Sequence, residues 1–160
     1  SVADLLDDAL HDRFLLDGVG RTVEFATGDP AEASSWLSSE LDFDVALAES
    51  APAGWRLEGA RLWHTVGALS ALATYTRADG AGDAGGASGA GETITVFARP
   101  ASGLEVVVPT DAPEGSTVSW RMESAAHRGV AWVDGSLAWV AIGSGPIEDV
   151  AAWVEAYRAR

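Results

Sequence analysis

The stretch Thr22-Val23-Glu24-Phe25-Ala26-Thr27-Gly28-Asp29-Pro30-Ala31-Glu32-Ala33-Ser34-Ser35-Trp36-Leu37, continued by Leu41-Asp42-Phe43-Asp44-Val45, decides the fold class. Its first six residues alternate, with Val23 and Phe25 on one side, which predicts a strand. Asp29 then offers a side-chain cap, Pro30 suits the first helical position, and Glu32 stands where a capping-box partner belongs. Ala33, Trp36, Leu37 and Leu41 fall on one stripe at helical spacing. Phe43 to Leu47 is expected to return as a strand, giving a β-α-β opening.

Outward from this unit the period changes. Trp55, Leu57 and Trp63 share one parity of a strand, Gly67 marks a turn, and Leu69 to Thr76 runs back. Ile94, Val96 and Ala98 belong to a third strand, and Leu104 to Val108 and Val118 to Met122 suggest two more. Gly129 to Val133 and Leu137 to Ile142 are joined by Asp134-Gly135, a strong hairpin signal. Gly145-Pro146 opens a last helix, with Ile147, Val150, Ala151 and Val154 on its inner face. The sum is an α+β fold: a mostly antiparallel sheet of about seven strands with helices packed on one face, a β-α-β opening, and a C-terminal hairpin plus helix.

Two segments stand apart. In 1–18, Val2, Leu5, Leu6, Ala9 and Leu10 repeat at helical spacing while Asp4, Asp7, Asp8 and Asp12 take other faces. This predicts an amphipathic helix that packs on the domain or serves as a stalk. Residues 19–160 then form a single domain, interrupted by a Gly/Ala run over 78–91. Its small side chains cannot bury enough area to offset the entropy of ordering, so a flexible loop is expected there.

The chain has 160 residues, 24 acidic and 10 basic, for a formal net charge of -14. A field of that sign repels phosphate backbones, which argues against a nucleic-acid partner. Cysteine is missing, which removes disulfides, thiol catalysis and thiolate metal ligation together. Lysine is missing too, which removes Schiff-base chemistry. No apolar run is long enough to span a membrane.

The residues capable of chemistry are sparse. The three histidines, His11, His64 and His127, are the candidate metal ligands, but none sits at a recognised ligand spacing. Gly80, Gly82 and Gly85 match a dinucleotide fingerprint literally, yet no helix follows to hold a pyrophosphate. No nucleophile elbow is present. Neither a catalytic residue nor a cofactor is expected. Of the seven tryptophans, Trp132 and Trp139 lie in the last hairpin, where partial exposure of one would line a groove for a ligand or partner.

The order of the opening stretch, then Gly54-Trp55-Arg56-Leu57-Glu58-Gly59-Ala60-Arg61-Leu62 and Ala71 to Tyr75, then Arg128-Gly129-Val130-Ala131-Trp132 and Ser136 to Ala141, resembles the extracytoplasmic C-terminal domain of bacterial transmembrane anti-sigma factors. The resemblance implies a non-catalytic sensory or regulatory module at the periplasmic face of the inner membrane. It implies a protein partner or protease there, and a sigma factor reached only through a separate zinc-binding N-terminal domain. Two other readings stay open: a small-molecule or metal-binding enzyme domain using His11, His64 or His127 with acids, and an engineered stand-alone binding scaffold.

Overall fold

The structure is a computed structural model, and it describes residues 1, 3–7, 9, 23–65, 68–78, 92–105, 119–124 and 126–159. Its strands are β1 (Phe25–Ala26), β2 (Trp55–Thr65), β3 (Ala68–Arg77), β4 (Thr93–Pro100), β5 (Ser119–Glu123), β6 (Arg128–Asp134) and β7 (Leu137–Gly143). Its helices are α1 (Pro30–Glu40) and α2 (Ile147–Arg158), and residues 3–7 and 9 are also helical. The seven strands form one sheet in the order β1-β2-β3-β4-β7-β6-β5, and every neighbouring pair is antiparallel. The α+β class and the antiparallel sheet are therefore as the sequence implies. His11, the remainder of 1–18, the turn at Gly67, 79–91 with its glycine fingerprint, and 106–108 of the strand expected from Leu104 lie outside the described residues.

α1 begins where the cap signals place it. The Asp29 carboxylate accepts from the Ala31 N–H at 2.9 Å. Glu32 does not reach back to Asp29, however. The Thr27 hydroxyl donates to Glu32 at 2.8 Å and accepts the Asp29 N–H at 3.0 Å, so the box is closed through a third side chain.

The expected strand at Phe43–Leu47 is not one. Its backbone is satisfied by side chains instead of a neighbouring strand. Ser38 Oγ accepts the Val45 N–H at 2.9 Å and donates to the Val45 carbonyl at 3.2 Å. The Leu47 N–H donates to Ser34 Oγ, and the Ala48 N–H donates to the Tyr157 hydroxyl. Because these partners already answer the backbone's polar groups, Val45 and Leu47 can be buried in irregular chain. The β-α-β order is completed by β2.

The shared parity of Trp55, Leu57 and Trp63 also fails. The β2–β3 register shifts between Leu57 and Gly59, a β-bulge that puts one extra residue into β2. Leu57 and Ala60 pack with α1, while Trp63 packs on the opposite face. Glu58, at the bulge, accepts hydrogen bonds from the Thr76 hydroxyl and from Arg56 Nε. The Thr76 bond leads in holding its carboxyl below its ordinary pKa; partial burial opposes it and Arg56 assists.

Both faces of the sheet are apolar. One carries Leu57, Ala73, Tyr75, Val96, Trp132 and Trp139 against α1 and α2. The other carries Leu72, Phe97, Ala131, Val140 and Ile142, and among the described residues the N-terminal helical segment packs over it. Leu5 and Leu6 are 1% exposed and Ala9 is 0% exposed. The segment begins with the Ser1 hydroxyl accepting from the Asp4 N–H at 3.2 Å, an N-cap contact. Leu5, Leu6 and Ala9 thus pack on the sheet. Burying each leucine contributes about 2 kcal/mol.

Gly59 lies where β1 meets β2. A Cβ there would stand 2.5 Å from the Phe25 carbonyl oxygen and 3.1 Å from Ala26 Cα, both backbone atoms. Gly59→Ala is therefore expected to lower stability by about 1–3 kcal/mol in denaturant unfolding. It should also speed hydrogen exchange at the Glu24 amide, which donates to the Ala60 carbonyl at 3.1 Å. Unchanged stability and exchange would contradict the close approach.

Candidate functional site

A cavity of about 370 Å³ opens where β3 ends, β4 begins and β7 passes into α2. Its walls are the indoles of Trp55 and Trp153 with Ile94 and Val150; Arg77, Glu92 and Asp149 supply the charges. Arg77 ends β3 and Glu92 precedes β4, so the two stand at opposite ends of the β3–β4 connection. The hairpin brings them together: the Arg77 N–H donates to the Glu92 carbonyl at 3.1 Å, and the side chains pair at 3.2 Å. The Arg77 guanidinium also lies over the Trp55 ring, 5.4 Å from its centroid. A Cβ on Gly145 would come within 2.9 Å of Glu92 Oε1, so glycine there leaves room for that carboxylate. The first turn of α2 carries Glu148 and Asp149, which offset the positive end of its dipole, and its N-cap residue, Pro146, makes no side-chain cap bond.

Behind the cavity the rings form a continuous array. Trp55 meets Trp153 edge-on, and Trp153 stacks on Tyr157 with centroids 4.9 Å apart. Tyr157 contacts Tyr75, Trp132 and Trp139. The Trp153 indole nitrogen is buried with no hydrogen-bond partner among the described residues. The Tyr75 hydroxyl likewise makes no well-formed hydrogen bond although it lies beside Tyr157. Burial leads in raising the pKa of both phenols. For Tyr75 the neighbouring Tyr157 adds to the rise; for Tyr157 the adjacent Tyr75 hydroxyl and the Ala48 N–H oppose it.

The residues singled out from sequence are scattered. His64 is exposed on β2. His127 is 6% exposed just before β6, where its N–H donates to Ser124 Oγ at 3.2 Å. Among the described residues no group of three or more His, Cys, Asp and Glu could hold a metal ion. Trp132 and Trp139 do lie together, paired across the hairpin and stacked at 5.9 Å. They are 1% and 6% exposed, so partial exposure of one is not found. They border a smaller hollow of about 190 Å³ beside Ala48 and Tyr157, but they are core. Arg77, Glu92 and Asp149 carried no sequence signal of their own.

Comparison with protein-family models, with curated proteins and with solved structures gave no match to this chain.

The two tyrosines make opposite predictions. Tyr157→Phe removes the partner of the Ala48 N–H and is expected to cost about 1–2 kcal/mol of stability. Tyr75→Phe removes a buried hydroxyl that satisfies nothing and is expected to be neutral or stabilising. Equal losses in denaturant unfolding would show a working Tyr75–Tyr157 hydrogen bond instead.

The raised pKa values also set a pH window. Unfolded tyrosines ionise near pH 10 while the folded pair stays protonated. Their contribution is present below that pH and is lost as pH rises above it. Thermal unfolding followed from pH 8 to 11 should show a fall in Tm beginning near pH 10. The fall should be reduced in the Tyr75→Phe, Tyr157→Phe double variant; an equal fall there would contradict the assignment.

Proposed function

We propose that this domain is a non-catalytic regulatory module of the transmembrane anti-sigma type, and that its N-terminal segment is the element through which a signal acts. The observation that carries this reading is the seating of Leu5, Leu6 and Ala9 on the sheet face opposite the two long helices. A segment docked in this way is withheld from a protease, and a signal that favours the undocked state exposes it by population shift. The order of sequence blocks that resembles the anti-sigma domains supports the same assignment. In this reading the domain works at the extracytoplasmic face of a bacterial inner membrane. Its direct partner is a protein or protease there, and the sigma factor is held by a separate N-terminal domain.

Docking is tested by limited proteolysis read by mass spectrometry. The intact domain should resist cleavage within residues 3–9. The Leu5→Ala, Leu6→Ala variant loses about 2–5 kcal/mol at each position in a filled site. It should be cut there at least tenfold faster while the α1, α2 and sheet regions stay protected. Equal cleavage of the two proteins would contradict the switch. The family assignment is tested separately by the coding sequence ahead of residue 1. A hydrophobic span preceded by a His/Cys zinc motif is expected, and a different domain in that place would refute it.

A further inference from the structure

We propose that the cavity between α2 and the β3–β4 end of the sheet is a binding site for a small organic cation, an ammonium or amidinium group carried on a flat apolar body. This goes beyond the regulatory reading and does not rest on it. The cavity's volume, about 370 Å³, lies within the range of small-molecule sites, roughly 300–1,000 Å³. Its walls are chemically divided. Trp55 and Trp153 with Ile94 and Val150 offer apolar surface to a ring or chain, and among the described residues charge is confined to Arg77, Glu92 and Asp149.

Among the described residues those charges do not balance: two carboxylates face one guanidinium. Arg77 is committed to Glu92 at 3.2 Å and to the Trp55 face at 5.4 Å. Asp149 is exposed on α2 and has no ion-pair partner among the described residues. Among the described residues no cationic side chain pairs with that carboxylate, so a ligand cation seated in the cavity would meet it. The Arg77 stack shows that the Trp55 ring already receives a cation in this setting, as indole faces do. The dipole at the start of α2 would by itself favour an anion, but Glu148 and Asp149 occupy its first turn and meet that demand. The chain's net charge of -14 adds a long-range attraction for cations and repels anions of the same shape.

The test uses the whole chain, labelled with nitrogen-15, and a matched pair of probes: phenethylammonium chloride and sodium phenylacetate. Both carry a phenyl ring on a short arm and differ in charge sign. The indole N–H signals of Trp55 and Trp153 report on the cavity, and that of Trp63, on the opposite face, serves as control. Phenethylammonium should shift the first two in a saturable way while leaving the third in place. Its affinity should exceed that of phenylacetate at least tenfold. Asp149→Asn, an exposed change, should weaken its binding about threefold to tenfold, the scale of a partly exposed charge contact. Equal or better binding of phenylacetate would overturn the proposal. So would the lack of any shift with phenethylammonium, or unchanged affinity in Asp149→Asn.

Discussion

The structure depends on a central strand that is buried from both sides. β4 lies between β3 and β7, and every residue from Thr93 to Ala98 is buried. Such a strand cannot exist in a sheet with one wet face. Its Val96 side needs the two helices, and its Phe97 side needs a second cover. The pairing of β4 with β7 also joins two meanders, β1 to β4 and β5 to β7, which are otherwise local in sequence. Long-range closure of this kind costs loop entropy, and apolar burial on both faces offsets it.

The same demand explains how polar groups are placed. Irregular chain at 44–48 runs against the core only because Ser34, Ser38 and Tyr157 answer its backbone groups. The ring array from Trp55 to Trp132 fills the space under α2 with large, stiff side chains. Two of its polar atoms, Tyr75 Oη and Trp153 Nε1, make no well-formed hydrogen bond among the described residues. Volume filling has won over hydrogen bonding at those two positions. The cavity is the place where this packing stops, at the open end of the sheet beside the start of α2.

Much of the fold was legible from local pattern. Gly135, at a φ of 58°, opens the two-residue Gly135-Ser136 turn of the last hairpin, one residue on from the Asp134-Gly135 signal. The Asp29 cap and the inner stripes of α1 and α2 were equally plain. Errors arose where a non-local or side-chain interaction overrode the pattern. Phe43–Leu47 alternates as a strand does, but hydroxyls from α1 and α2 took the place of a neighbouring strand. The bulge at Glu58 reversed the parity of β2 beyond it, and Gly59 was its only sequence mark. Trp132 and Trp139 share one face because a two-residue turn places them opposite each other, so a single fate for both follows from the hairpin. The cavity was illegible because its walls come from five separated stretches that only the sheet order brings together.

The N-terminal segment joins fold to proposed function, since the surface it covers is required by the sheet and the segment itself is short. The docking of that cover in solution is what both the fold and the proposed switch require. Nuclear Overhauser contacts between the methyls of Leu5 or Leu6 and those of Leu72, Val140 or Ile142, or the Phe97 ring, would measure it. The account predicts several such contacts in the free protein at neutral pH. Sharp, mobile leucine signals with none of these contacts would contradict it.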